Sequence, residues 1–367
     1  MNINGIGIVF TRGRGIDSFE KALQEGWRTP SQVEIKGRKS FAYQVDAQML
    51  SDKRLLKKMR RADKLSKMAV IAAYEALAGS GIGDFNKKSI GIITATAFGA
   101  HVTTFDFLND ILDYGEANVS PTTFSNSVHN AAASYISSLL NIQGPTLTVT
   151  QFFFPFHSAL QLAQAWLNEK RCDYVLVGAV EQYGDVLGYI YDSELTPASD
   201  GMIKPFNFNP TYQVPGEGSV FFLLSNKNHD DTFCEIHNVS INADEKDTLQ
   251  ADLDIIDTDG LVADESIYKN CLSPAIPVAA YSPLFGSMMT GSAFNCAAGA
   301  LMLKKQTVYA NPVADNPKGL NIVGETGRSN IELLRCIRYN CHGEKAEIYL
   351  RGKPNGEGRE VNRQNQG

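Results

Sequence analysis

The sequence has no stretch of about 18 consecutive apolar residues, so no segment reads as a membrane span. Its opening, MNINGIGIVFTRGRG, has no long apolar core behind a basic stretch, and no secretory leader is expected. Cysteine is sparse and scattered: Cys172, Cys234, Cys271, Cys296, Cys336 and Cys341 form no C-x-x-C pair. That spacing argues against a zinc knuckle or a disulfide framework and points to reduced thiols in a cytoplasmic protein. The six histidines (His101, His129, His157, His229, His237 and His342) show no H-x-x-x-H spacing, so no metal is expected. A basic excess is also missing. With 34 basic and 40 acidic residues the formal charge is −6, which argues against nucleic acid or an anionic membrane as the general partner.

What is present is a globular composition, 367 residues with 43% hydrophobic, enough for two units or one large fused domain. Short apolar runs read as strands at Ile3–Phe10, Ser89–Ala97, Thr146–Thr150, Tyr174–Val180, Ser219–Leu224, Ile276–Tyr281 and Glu347–Leu350. Several are continuous Val/Ile runs, as in strands covered on both faces. Between them, Ser66–Ala78, Asn130–Leu140 and Phe156–Asn168 carry helix-forming composition. In the last of these, Phe156, Ala159, Leu160, Ala163, Trp166 and Leu167 form one stripe, and Pro155 stands at a first-turn position. Alternation of this kind implies a layered α/β fold with a largely parallel sheet. The basic stretch Arg54–Lys67 reads as a solvated helix face or as a docking surface for an acidic partner.

An ordered set of segments resembles the β-ketoacyl synthases of the thiolase superfamily. The set comprises NGIGIVFTRG at the start, Met59–Ala78, SPTTFSNSVHNAAASYISSLLNIQGPTLTV at Ser120–Val149, PFN at Pro205–Asn207, VPGEGSVFFLL at Val214–Leu224 and MTGSAFNCAAGALML at Met289–Leu303. The resemblance implies a five-layer α-β-α-β-α fold of two similar halves, residues 1–215 and 216–352. A polar tail, 353–367, follows.

The condensing chemistry of such enzymes needs a cysteine thiolate to carry the acyl chain and two imidazoles to stabilise enolate and oxyanion. Counted from Gly144-Pro145, the nucleophile position falls on Phe153, and a phenyl ring cannot form a thioester. Asp259, in Asp257-Thr258-Asp259-Gly260, stands at the first histidine position and Ser292 at the second. Ser287 or Met288 takes the place of the family's lysine, and the glycine-rich loop reads Tyr339-Asn340-Cys341-His342-Gly343. By resemblance the chain is therefore a chain length factor, the non-catalytic subunit of a type II polyketide synthase heterodimer. Its partner would be a Cys–His–His ketosynthase fed by an acyl carrier protein with its phosphopantetheine arm; no cofactor of its own is implied.

That resemblance makes Phe105, Phe107, Leu108, Thr123, Phe124, His129 and Phe153 candidates for the tunnel wall or subunit contact. Arg54, Lys57, Lys58, Arg60 and Arg61 become candidates for carrier-protein docking. Plainer readings stand beside these: an amphipathic core helix for 105–108, a structural role for His129, a hydrogen-bonding role for His157, and a buried small residue for Cys296. Three buried rings at Phe152-Phe153-Phe154 would fill core and plug the old acyl pocket together. Two other functions remain open: a free-standing acyl-binding or scaffold protein, and a malonyl decarboxylase suggested by Gln151.

Overall fold

The computed structural model describes the whole chain except residues 53–54, 56–58, 83–85, 209, 244–248, 263–264, 269–273 and 354–367. Arg54, Lys57, Lys58 and the tail beyond Lys353 thus lie outside the described residues.

The seven expected strands join three that were not expected, Cys234–Ile241, Leu253–Ile256 and Leu333–Tyr339, in one large sheet built from two sets of five, with the short Gly13–Arg14 paired alongside the first strand. The first set runs Thr146–Thr150, Ile90–Thr96, Tyr174–Glu181, Gly218–Ser225 and Asn2–Phe10 across the sheet. Its first three strands are parallel and the remaining pairings antiparallel. The second set runs Val278–Ala279, Leu253–Ile256, Leu333–Tyr339, Lys345–Arg351 and Cys234–Ile241. Its pairings follow the same pattern, parallel, parallel, antiparallel, antiparallel. In chain order both sets read third, second, fourth, fifth, first, which is the signature of a repeated unit. They join where Asn2 and Ile3 pair with Glu235 and Cys234. Because Gly218–Ser225 completes the first set and Cys234 opens the second, we place the division at 226–233, one strand after residue 215. The run read as Ile276–Tyr281 is a strand only at Val278–Ala279.

Helix Lys64–Ala78 covers the outer face of the first set, with Ala131–Leu140 packed beside it. Asp63 caps the long helix through its carboxylate, which accepts from the Ser66 N–H at 2.9 Å. The helix comes so close to the first strand that a Cβ at Gly7 would meet the Ala72 carbonyl oxygen, so the strand accepts only glycine there. Helices Pro155–Asn168 and Ser292–Lys305 lie in the middle layer, sharing one core with apolar side chains from both sets. Helix Ser292–Lys305 is buried along nearly its whole length. Over the far face of the second set, Phe206, Phe208, Val262, Tyr268, Leu320 and Ile322 supply the cover from loops and one four-residue helix.

Candidate functional site

Strand Thr146–Thr150 ends in a bend and the chain enters helix Pro155–Asn168 through Phe154, whose φ of 56° is left-handed. A non-glycine residue there costs on the order of 1–3 kcal/mol, so the surroundings must hold it. Two features do so. Pro155 fixes the first helical φ, and the Gln151 amide donates to the Phe153 carbonyl at 2.6 Å and the Ser158 hydroxyl at 2.8 Å. The three rings then diverge. Phe154 is buried and packs its edge against His157 at 5.8 Å between centroids. Phe153 is half-buried and meets the His342 ring at 5.6 Å. Phe152, expected in the core, is instead 58% exposed and turned onto Phe98, 5.5 Å away.

Beneath this turn lies a buried polar cluster. Arg338, on strand Leu333–Tyr339, pairs with Asp257 at 2.9 Å and Asp259 at 3.4 Å. The Ser292 hydroxyl donates to Asp257 at 2.5 Å, and Asn295, one turn along the same helix, donates to the other carboxylate oxygen. Asp259 accepts from the Leu261 N–H, while its carbonyl receives the Ser287 hydroxyl. Every one of these side chains is buried. Burial raises the Asp259 carboxyl to about 6, and Arg338 offsets only part of that rise. Burial works against the Arg338 charge as well, but Asp259 and Asp257 outweigh it and the guanidinium stays protonated.

His157 faces the same cluster from the first half. Burial, with a smaller contribution from the Arg338 charge, lowers its pKa to about 3, so the imidazole is neutral. The hydrogen-bonding role expected for it is not met: neither ring nitrogen has a protein partner. Phe98, Leu187, Tyr191, Leu261 and Met289 pack the space between this cluster and Phe152. Met289 sulfur accepts from Arg338 at 3.8 Å. At the end of the parallel strands, buried Glu181 accepts from the Thr96 hydroxyl and the Ala97 and Phe98 N–H groups. Its carboxyl is still pushed up by burial to about 7.

The structure therefore brings Phe153, Asp259 and Ser292 into one region, linked through Phe154, His157, Arg338 and Asp257. Cys296 lies in the helix core, with burial raising its thiol well above the usual range. Among the described residues no group of three or more His, Cys, Asp or Glu is arranged to hold a metal ion, and no helix is long and apolar enough to cross a membrane. The residues that sequence reasoning missed are Asp257, Asn295 and Arg338. Their signal was an arginine inside the apolar run Leu333–Tyr339 and the three-residue spacing of Ser292 and Asn295.

The remaining candidates form a separate surface. Helix His101–Tyr114 has one buried residue, Thr103. Phe105, Leu108 and Leu112 are 41%, 45% and 82% exposed, and Phe124 is exposed on the short helix Pro121–Asn126. Phe107 is half-buried against Phe124 at 5.4 Å. Thr123 is half-buried and its N–H caps onto Ser120. His129 is exposed and rests on the 97–100 turn, where a Cβ on Gly99 (φ +59°) would strike its ring. Arg60 and Arg61 are exposed, and the Arg61 carbonyl accepts from Asn126 at 2.7 Å.

A layered α/β protein with a doubled five-strand unit and a strand–bend–helix turn at its centre is of the thiolase-like class. The sequence pattern of the beta-ketoacyl synthase N-terminal domain matches residues 1–229, ending in the segment that separates the two strand sets. The chain belongs to the beta-ketoacyl synthase family. No curated protein matches it. Among solved structures, a beta-ketoacyl synthase from Burkholderia phymatum STM815 superposes with a TM-score of 0.79 at 17% identity, over 96% of this chain and 99% of that one. The ishigamide ketosynthase/chain length factor gives 0.76 at 14% identity, with the same coverage of both chains. A type II polyketide synthase acyl-carrier protein in complex with its ketosynthase bound to the hexaketide, AntDE:AntF, gives 0.75 at 15% over 96% and 99%.

Proposed function

We propose that this chain is a non-catalytic, chain-length-factor-type subunit. It pairs with a Cys–His–His ketosynthase and walls part of its acyl tunnel while malonyl units on an acyl carrier protein are condensed. The observation that carries the pairing is helix His101–Tyr114. On this helix of 14 residues only Thr103 is fully buried, whereas helices in proteins draw most of their stability from burying an apolar face. Its exposed Phe105, Leu108 and Leu112 need cover, and a partner subunit supplies it. Thr146–Thr150 is the terminal strand of the sheet, pairing on one side only among the described residues, with Leu147 exposed.

The non-catalytic part of the proposal is supported by what occupies the site. Phe153 offers no nucleophile. Asp259 is engaged by Arg338 and the Ser292 hydroxyl by Asp257, so neither side chain at the two histidine positions is held free for an enolate. The decarboxylase alternative loses its main support, because the Gln151 amide is already engaged by Phe153 and Ser158. In this reading Arg60 and Arg61 serve the acidic carrier protein at the rim of the partner surface.

The test is co-expression with a Cys–His–His ketosynthase, followed by mass measurement of the complex and its products. The pair should be a heterodimer that elongates malonyl carrier protein, and this chain alone should neither become acylated nor release acetyl carrier protein. Acylation of any of its own thiols, or elongation by the chain alone, would overturn the proposal.

A further inference from the structure

Between residues 89 and 168 the sequence contains no lysine or arginine, although four acidic residues, Asp106, Asp110, Asp113 and Glu116, fall there. At the chain's average composition about seven basic residues would be expected in that stretch. It contributes helix His101–Tyr114, helix Pro121–Asn126 and strand Thr146–Thr150, the elements of the uncovered surface. On the long helix, Phe105, Leu108 and Leu112 lie three and four residues apart and form an apolar stripe. Asp106, Asp110 and Asp113 lie four and three residues apart, one or two positions further on, so an acidic stripe runs alongside. Asp106, Asp113 and Glu116 are exposed and Asp110 is half-buried, and none of the four pairs with a described lysine or arginine. Arg60 and Arg61 adjoin the other end of the helix, where Asp63 accepts from the Thr103 hydroxyl at 3.0 Å.

We infer that this surface takes a partner protein presenting an apolar patch bordered by lysine or arginine, and that it rejects a second copy of this chain. The inference rests on the paired-subunit reading above and adds the chemistry of the partner. A two-fold contact sets the same patch on both copies face to face. Two uncompensated acidic stripes would then meet across an apolar seam, where each carboxylate loses water without gaining a cation. A basic border on a different partner turns the same charges into attraction. Like-charge repulsion against the wrong partner is a common device for keeping a heterodimer from self-pairing.

The experiment uses the intact chain and the Cys–His–His ketosynthase subunit of the same organism. Sedimentation measures the chain alone, and association kinetics are followed from low salt to about 0.5 M, where the screening length falls to a few ångströms. The native chain should be monomeric alone, and its association rate with the ketosynthase should drop about tenfold or more with salt. The double variant Asp106→Lys/Asp113→Lys should associate about tenfold more slowly at low salt and lose the salt dependence. The neutral pair Asp106→Asn/Asp113→Asn should self-associate more readily than the native chain. These residues are on the surface, so circular dichroism should match the native chain in each variant. A tight native homodimer at low salt, or a rate indifferent to both salt and charge reversal, overturns the inference. Failure of the native chain to bind the ketosynthase at any salt sinks the paired-subunit reading itself.

Discussion

Replacing Arg338 by methionine keeps the length of the side chain but removes the one cation shared by Asp257 and Asp259. Both carboxylates are buried, at 4% and 2% exposure, so neither can recover its charge solvation from water. Asp257 would keep its bonds from Ser292 and Asn295, and Asp259 its bond from the Leu261 N–H. Breaking a buried pair from one side typically costs about 3–5 kcal/mol. For a chain of this length that corresponds to a fall in Tm of about 4–7 °C. The loss has a pH signature. Asp259 sits at about 6, above its ordinary value, and without the guanidinium it must rise further. A carboxyl raised in the folded state gains stability from proton uptake, so the deficit should be largest at pH 8 and shrink toward pH 5. Calorimetric melts of native and Arg338→Met protein at both pH values read it out, and Arg338→Met/Asp257→Leu/Asp259→Leu should recover most of the loss. A drop below about 1 °C at pH 8, or an equal drop at both pH values, would refute the desolvated-triad account.

The native protein should itself gain stability as pH falls from 8 toward 5, because three raised carboxyls outweigh one lowered imidazole. Glu75 and Glu181 at about 7 and Asp259 at about 6 take up protons in the folded state before the unfolded one, so stability rises as pH falls from 8. His157 at about 3 stays neutral while the unfolded imidazole charges below about 6.5, which opposes that rise by one proton; His157→Leu should therefore steepen the gain in stability between about pH 6.5 and 5 in melts across that range. In the reconstituted pair, Phe105→Ala should lengthen the product, whereas Phe107→Ala should mainly loosen the contact with Phe124; mass spectrometry of products separates the two, and unchanged length with an intact pair removes Phe105 from the tunnel. Gly99→Ala should destabilise by about 1–3 kcal/mol or displace His129, because a Cβ at φ +59° meets that ring; urea unfolding measures it.

Much of the fold could be read from the chain because its elements are locally consistent. Strands such as Tyr174–Glu181 are continuous apolar runs, and Pro155 and Asp63 mark helix starts by their own chemistry. The resemblance also led to Phe153, Asp259 and Ser292, each taken from a different motif. What the chain alone did not disclose was the company those residues keep. Arg338 is about 80 residues from Asp257 and Asp259, and only the pairing of strands Leu253–Ile256 and Leu333–Tyr339 brings them within bonding distance. The outward turn of Phe152 was equally hidden, since three adjacent phenylalanines look alike in sequence and differ only once the bend fixes their directions. The scarcity of cations from 89 to 168 is plain in the sequence, but its meaning depended on the sheet ending at Thr146–Thr150 and on one helix standing nearly free of the core. Composition and periodicity fix local conformation, which depends on neighbours in sequence. Ion pairing, ring direction and surface complementarity depend on neighbours in space, and those exist only after the chain has folded.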